Sequence, residues 1–258
     1  MKNDTISWCG YDWTCKMNGG RIINPSFPHA WYSDSPEVLK INENGEMSLS
    51  YRYNTKENVY WDGKVYNPII ERALIRTKQH FDYGTFSIEA MMPKGLNVSC
   101  AFWMSGFGNW PPEIDIVESW SEDNNYSRKT TNHFPWLTKS WKTTNNVHYN
   151  DRNLLHCHLG SKNIMQCIQP LEPSENWIKY EVVWLADAIT FKANGKTTKT
   201  IGKKYANMLT NNLKKAENGY LMDVIISINV DDPKKCPNRL DTPFRVRNFK
   251  YNPLECKN

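Results

Sequence analysis

Apolar residues recur at every second position through much of this chain, and a period of two is the signature of strands with one buried face. Met47, Leu49, Tyr51 and Tyr53 alternate with Ser48, Ser50 and Arg52, which predicts a half-buried strand. Ala73 to Lys78 predicts another. Phe86, Ile88 and Ala90 alternate with Thr85, Ser87 and Glu89, and Pro93-Lys94-Gly95 then turns the chain into a strand from Val98 to Met104. In that strand Ala101 and Trp103 fall on the face opposite Cys100, Phe102 and Met104. Further on, Ile178 to Trp184 and Ile189 to Ala193 alternate in the same way, and Asn194-Gly195 is a hairpin turn. Tyr220 to Val230 reads as a buried strand and Arg245 to Tyr251 as the last one, while Lys129 to Phe134 predicts a short strand and Leu154 to Ile168 a hairpin. Helical spacing is confined to Ala206, Leu209, Leu213 and Ala216, with Asn218-Gly219 as the stop. Residues 1–45 and Asn54 to Pro68 lack periodicity and are expected to be loops, with Trp13, Trp31 and Tyr32 as core plugs or rim contacts. Many short strands, one minor helix and no βαβ rhythm predict an all-β fold of two antiparallel sheets packed face to face. No repeat or linker divides the chain, so a single domain over residues 1–258 is expected.

One stretch breaks the alternation. Trp110 to Trp120 reads W-P-P-E-I-D-I-V-E-S-W, with Glu113, Asp115 and Glu118 set among Ile114, Ile116 and Val117. The β-branched residues argue for a strand, and Pro111 and Pro112 suit only its entrance. On a regular strand Glu113 and Asp115 share a face and Glu118 points the other way. A β-bulge at Ile116 or Val117 would return Glu118 to the first face, and such bulges are common beside active sites.

Three acids on one face repel one another unless a proton is shared or the site needs paired carboxyls. Retaining glycoside hydrolysis has that need: an ionised nucleophile and a protonated acid roughly 5 Å apart, the charge of one holding the proton on the other. Asp115, between the two, is placed to hydrogen-bond the nucleophile and to help set where the proton sits.

E-I-D-I-V-E resembles the E-x-D-x-x-E signature of glycoside hydrolase family 16, in the bulged form of laminarinases, agarases and carrageenases. The resemblance extends through R-A-L-I-R-T-K, F-D-Y-G-T-F-S-I-E-A-M-M-P-K-G, A-F-W-M and W-P-P-E-I-D-I-V-E, from Arg72 to Glu118, and through Trp177 to Lys196. It implies a jelly-roll sandwich whose concave sheet forms the substrate cleft. Glu113 would be the nucleophile, Asp115 its assistant and Glu118 the general acid/base. Trp103 would be a sugar platform beside the acids, Trp110 a residue of the cleft mouth and Trp136 an outer subsite. His133 is the counterpart of the histidine that the family commonly carries on the strand after the catalytic one. No cofactor is implied for the chemistry, although family members often hold a structural calcium away from the cleft. Two positions depart from the pattern: Pro112 stands where many laminarinases have Gly, and S-I-N-V-D-D replaces a usual Gly-Gly ending.

Composition narrows the partner. Eleven Trp and thirteen Tyr exceed what a core needs, and flat aromatic faces are what sugar rings stack on. A net charge of +5 with interspersed signs and no basic stripe argues against nucleic acid and mildly favours an anionic polysaccharide. No apolar run approaches a membrane span. The opening M-K-N-D-T-I-S-W-C-G has no apolar signal core, so an extracytoplasmic location is expected only if a signal has been removed. Seven cysteines leave at least one unpaired; Cys9 with Cys15, Cys157 with Cys167, and Cys236 with Cys256 are possible pairs by spacing. His156-Cys157-His158 lacks further spaced ligands, so no metal is expected there.

The expected activity is therefore that of a monomeric, retaining endo-hydrolase of a β-linked polysaccharide, with β-1,3-glucan first. A sulfated or agar-type galactan is the nearest alternative, and Arg72, Arg128 and Arg152 are available to a sulfate. A transglycosylase would share the covalent intermediate. A carbohydrate-binding protein without turnover would have no use for all three acids.

Overall fold

The structure, a computed structural model, describes residues 4–25, 28–54, 58–94, 97–108, 110–120, 142–150, 156–158, 173–211, 213, 215–216, 219–237, 240 and 242–254. Two antiparallel sheets carry most of them. The first has eight strands in the order Ile6–Trp8, Tyr11–Thr14, Leu74–Thr77, Met222–Val230, Val98–Gly106, Glu113–Trp120, Lys142–Asn150 and His156–His158. The second has seven, in the order Lys196–Gly202, Ala188–Ala193, Ile178–Trp184, Gly84–Met91, Phe244–Pro253, Met47–Leu49 and Leu39–Ile41.

The alternation seen in the sequence is what joins the sheets. Phe102, Met104, Ile114, Ile116, Ile226 and Ile228 of the first pack with Phe86, Ile88, Tyr180, Val182, Phe191 and Val246 of the second in one continuous apolar cluster. Each such side chain, fully removed from water, contributes about 1.5–3 kcal/mol. The alternate residues of the first sheet, Ala101, Trp103, Glu113, Asp115, Glu118 and Ser227, line a cleft on its other side. The face that repels water thus fixes which residues the cleft receives.

Several expectations need correction. Residues 1–45 are mostly loop, as expected, but not loop throughout: Ile6–Trp8, Tyr11–Thr14, Ala30–Tyr32 and Leu39–Ile41 are strands, short enough that no period could be read from them. Trp13 is fully buried and Trp31 and Tyr32 nearly so, so all three are interior groups, and Tyr32 also reaches the cleft wall. The alternating run from Met47 to Tyr53 is two strands. Met47–Leu49 stays in the second sheet, whereas Tyr51–Tyr53 joins a three-stranded sheet with Ile70–Arg72 and Ala30–Tyr32. Asn54 to Pro68 contains a hairpin, Val59–Trp61 with Lys64–Tyr66, whose turn puts Asp62 at φ 51° and Gly63 at φ 67°. Asp-Gly between short strands is a hairpin signal that was passed over because only one strand residue there, Val59, is buried. The α-helix runs from Lys203–Asn211 and so ends before Leu213; Lys215–Ala216 instead pairs with Gly219–Tyr220. Cys9 and Cys15 are both free thiols, one exposed and one buried, and Cys236 is free as well. Cys167 and Cys256 lie outside the described residues, as do the expected strand at Lys129 to Phe134 and most of the expected hairpin at Leu154 to Ile168. No helix among the described residues is long and apolar enough to cross a membrane.

Candidate active site

The acid strand is irregular where its sequence requires it to be. Against Lys142–Asn150, Asp115 pairs with Asn146 and Glu118 with Thr144, so three steps on one strand match two on the other. Against Val98–Gly106, Val117 pairs with Phe102 and Asp115 with Trp103, leaving Ile116 without a partner. This is the expected bulge. Ile116 and Val117 both turn into the core, and Glu118 comes out beside Glu113 and Asp115 on the cleft wall. The driving force is plain: an unbulged strand would bury Glu118 and expose Val117.

The carboxyls form a row. Asp115 is buried and in contact with both Glu113 and Glu118. Burial, reinforced by the neighbouring charge of Glu113, holds the Asp115 carboxyl well above the usual aspartate range. The contact with Glu113 adds to that rise and the contact with Glu118 opposes it. Glu113 is also raised, chiefly by burial, and three neighbours pull it back: the His148 ring, the Trp110 indole and the Asp115 carboxyl. Two neighbouring carboxyls with raised affinity for protons, beside a third acid on the same wall, are the kind of crowding that lets one group keep a proton while another is ionised.

Trp110 is reached through two successive cis peptide bonds, Trp110–Pro111 and Pro111–Pro112. Its ring is 56% exposed while its Nε1 donates to Glu113 Oε2 at 2.9 Å, so it is at once a rim aromatic and a hydrogen-bond donor to the Glu113 carboxylate. Trp103 also lines the cleft. Its Nε1 donates to Ser227 Oγ at 3.2 Å, and its ring packs on Met17, Tyr32, Leu74 and Ile225.

A histidine on the strand beside the acids is present, and it is His148. The strand paired to the acids is Lys142–Asn150, in which His148 stands opposite Glu113. Its Nε2 lies 3.6 Å from Glu113 Oε1, 3.3 Å from Asp115 Oδ2 and 2.9 Å from Asn146 Nδ2, and its ring sits 5.9 Å from that of Trp110. Burial pushes the imidazole below its ordinary value, against the pull of Glu113. His133 and Trp136 lie outside the described residues. Sequence reasoning passed over His148 because K-T-T-N-N-V-H-Y-N shows no apolar period: Thr143 and Asn145 take core-side positions that apolar residues normally fill. The usable signal was Val147 and Tyr149 alternating with Asn146 and His148.

Glu113, Asp115 and His148 are also the one group of three potential metal ligands among the described residues. An imidazole with two carboxylates does not fit calcium, which takes six to eight oxygens. The group belongs to the acid row instead.

The whole cleft holds about 1290 Å³, enough for several sugar rings. Beyond the acids it is lined by Trp120 and by the loop from Met17 to Arg21, where Gly19 and Gly20 take left-handed φ of 73° and 74° to carry the chain around the rim. The sequence had flagged none of these as site residues.

With this geometry in view, the sequence profile described as glycosyl hydrolases family 16 matches residues 37–230. The chain belongs to glycosyl hydrolases family 16. A glucan endo-1,3-beta-glucosidase from Cryptopygus antarcticus is 32% identical over 126 residues, an alignment spanning 42% of this chain and 44% of that relative. Among solved structures, LamAcat from Zobellia galactanivorans superposes with a TM-score of 0.63 at 15% identity, covering 93% of this chain and 88% of that one. The catalytic domain of an endo-1,3-beta-glucanase (laminarinase) from Thermotoga petrophila gives 0.56 at 18% identity, covering 97% and 95%. A structure described with the endo-acting O-glycanases by which gut microbiota initiate mucin breakdown gives 0.65 at 16%, covering 98% and 88%. At these identities the structural likenesses establish the family 16 jelly-roll sandwich and nothing finer.

Proposed function

We propose that this protein is a retaining endo-glycoside hydrolase acting on a β-1,3-linked glucan. Glu113 attacks the anomeric carbon as Glu118 gives its proton to the departing glycosidic oxygen, so the C–O bond to the leaving sugar breaks while an ester bond to Glu113 forms. Glu118, now a carboxylate, takes a proton from water; the water oxygen bonds to the anomeric carbon and Glu113 is released. Asp115 holds the resting proton next to Glu113. The observation that carries this reading is the bulge at Ile116 and Val117, which sets all three carboxyls on one wall of an open cleft. An open cleft, rather than a closed pocket, suits attack within a chain. The β-1,3-glucan backbone is supported by the Cryptopygus relative, which shares under half its length with this chain.

The test is product analysis against laminarin, mixed-linkage glucan, agarose, porphyran and carrageenan, with the anomer of the first product followed by NMR. Laminarin cut to a ladder of oligosaccharides with the β-anomer appearing first is the expected result. Turnover confined to a galactan would overturn the backbone, and products longer than the substrate would point to transglycosylation.

A further inference from the structure

We infer that the cleft contains an anion subsite built on Arg72, which takes a sulfate ester or carboxylate carried by the glycan. It rests on the cleft being a glycan site and goes beyond the backbone proposed above.

Arg72 ends the strand Ile70–Arg72, and Ala73 after it turns into the core, so Arg72 and Leu74 share the cleft side. Arg72 is 6% exposed and lines the cleft. Its guanidinium is held in place by neutral groups: Nη1 donates to Asn229 Oδ1, Nη2 to Tyr32 Oη at 3.5 Å, and the Tyr32 ring lies 5.0 Å away. Its Nε has no partner. Among the described residues no carboxylate pairs with it; Glu71, its neighbour in the strand, is taken by Arg52 at 2.7 Å. Arg21, on the rim loop of the same cleft, likewise has a buried Nε without a partner and no ion pair among the described residues.

A cation withdrawn from water without a counter-ion is costly, and buried charges are normally paired. Asn229 and Tyr32 orient the guanidinium without neutralising it. A planar fork with spare N–H groups on a cleft wall matches a planar or tetrahedral oxyanion better than sugar hydroxyls. Register places the subsite. Glu118 is opposite Ala101, Ala101 is opposite Ser227, and Asn229 lies two residues further along that strand. By the spacings of a pleated sheet this is about 12 Å from Glu118, roughly two sugar rings. The anion would therefore sit clear of the bond being cut.

The experiment uses the whole protein on matched pairs: laminarin against laminarin sulfate and carboxymethyl-laminarin, and agarose against carrageenan oligosaccharides, at low and high ionic strength. A KM lower by about tenfold for an anionic member, narrowing as salt rises, is expected. The sulfate and carboxymethyl arms tell which oxyanion is taken. Arg72→Met should erase the gap and Arg72→Lys should keep part of it. No anionic preference on either backbone overturns the subsite, with no variant needed. A preference that persists in a folded Arg72→Met protein removes Arg72 from it. If only the galactan pair is turned over, the glucan proposal fails while the subsite stands. If no polysaccharide is turned over, thermal protection by inorganic sulfate over chloride at matched ionic strength decides, and its absence overturns the subsite.

Discussion

The indole of Trp110 donates from Nε1 to Oε2 of Glu113 over 2.9 Å, which ties an exposed aromatic of the rim to the carboxylate assigned as nucleophile. The bond favours the ionised form of Glu113 and so opposes the burial that raises it. Trp110→Phe keeps a ring for stacking and removes the donor. Glu113 should then hold its proton to a higher pH, moving the acid limb of the kcat/KM profile upward, with about a tenfold loss on that limb. A profile that superposes on that of the parent would refute the coupling.

Glu113→Gln removes the proposed nucleophile and one of three crowded acids together. Turnover should fall by on the order of 10⁴-fold or more, while the melting temperature stays level or rises. Reducing-end release and a thermal melt of the same preparation separate loss of chemistry from loss of fold.

Asp115 makes stability depend on pH in a stated direction. Its carboxyl is raised in the folded state, so between the ordinary aspartate value of about 3.9 and that raised value the folded chain holds a proton which the unfolded chain lacks. Stability from this group is thus fully present below the unfolded value and is lost as pH rises through the folded one. Asp115→Asn retains a donor for Glu113 and an acceptor for Glu118 but cannot ionise. It should melt higher than the parent at neutral pH, by on the order of 2–4 °C for each kcal/mol recovered. The advantage should vanish near pH 3, and activity should drop about 10–100-fold, short of the loss in Glu113→Gln. Melting curves across pH test the sign directly.

Deleting Val117 should be tolerated better than its burial suggests. The deletion leaves E-I-D-I-E, in which strict alternation sets all three acids on the cleft face without a bulge. The cost is one buried valine, about 1–3 kcal/mol, and partial activity should survive. Inserting an alanine after Val117 makes the spacing even again but carries the second glutamate two positions, about 7 Å, further along the strand and turns Val117 to the cleft, so turnover should be abolished. Comparing both proteins by kcat and by thermal melt checks the arithmetic.

Much of this was legible in the sequence because burial imposes a period. Phe86, Ile88 and Ala90, Phe102 and Met104, and Ile178, Tyr180 and Val182 each occupied the faces their alternation required. The bulge could be inferred because three acids and two β-branched residues left no regular strand able to satisfy them. His148 escaped notice for the complementary reason. Its strand fills core-side positions with hydrogen-bonded polar groups: Asn145 donates from Nδ2 to the Ile116 carbonyl at 2.5 Å and accepts from Thr198 at 2.6 Å. Polarity paired inside the protein looks like loop when read along one chain. The split of Met47 to Tyr53 was hidden for a third reason, since a strand that changes sheets at Ser50 keeps its alternation.

Ile114, Ile116 and Val117 are wholly buried behind the carboxyls, at the centre of the cluster that joins the two sheets. The three carboxyls therefore hang on the part of the molecule that opens last, with no local hinge of their own to loosen. Heat should silence the protein and melt it in one cooperative step, leaving no warm, folded form in which the acids have drifted apart.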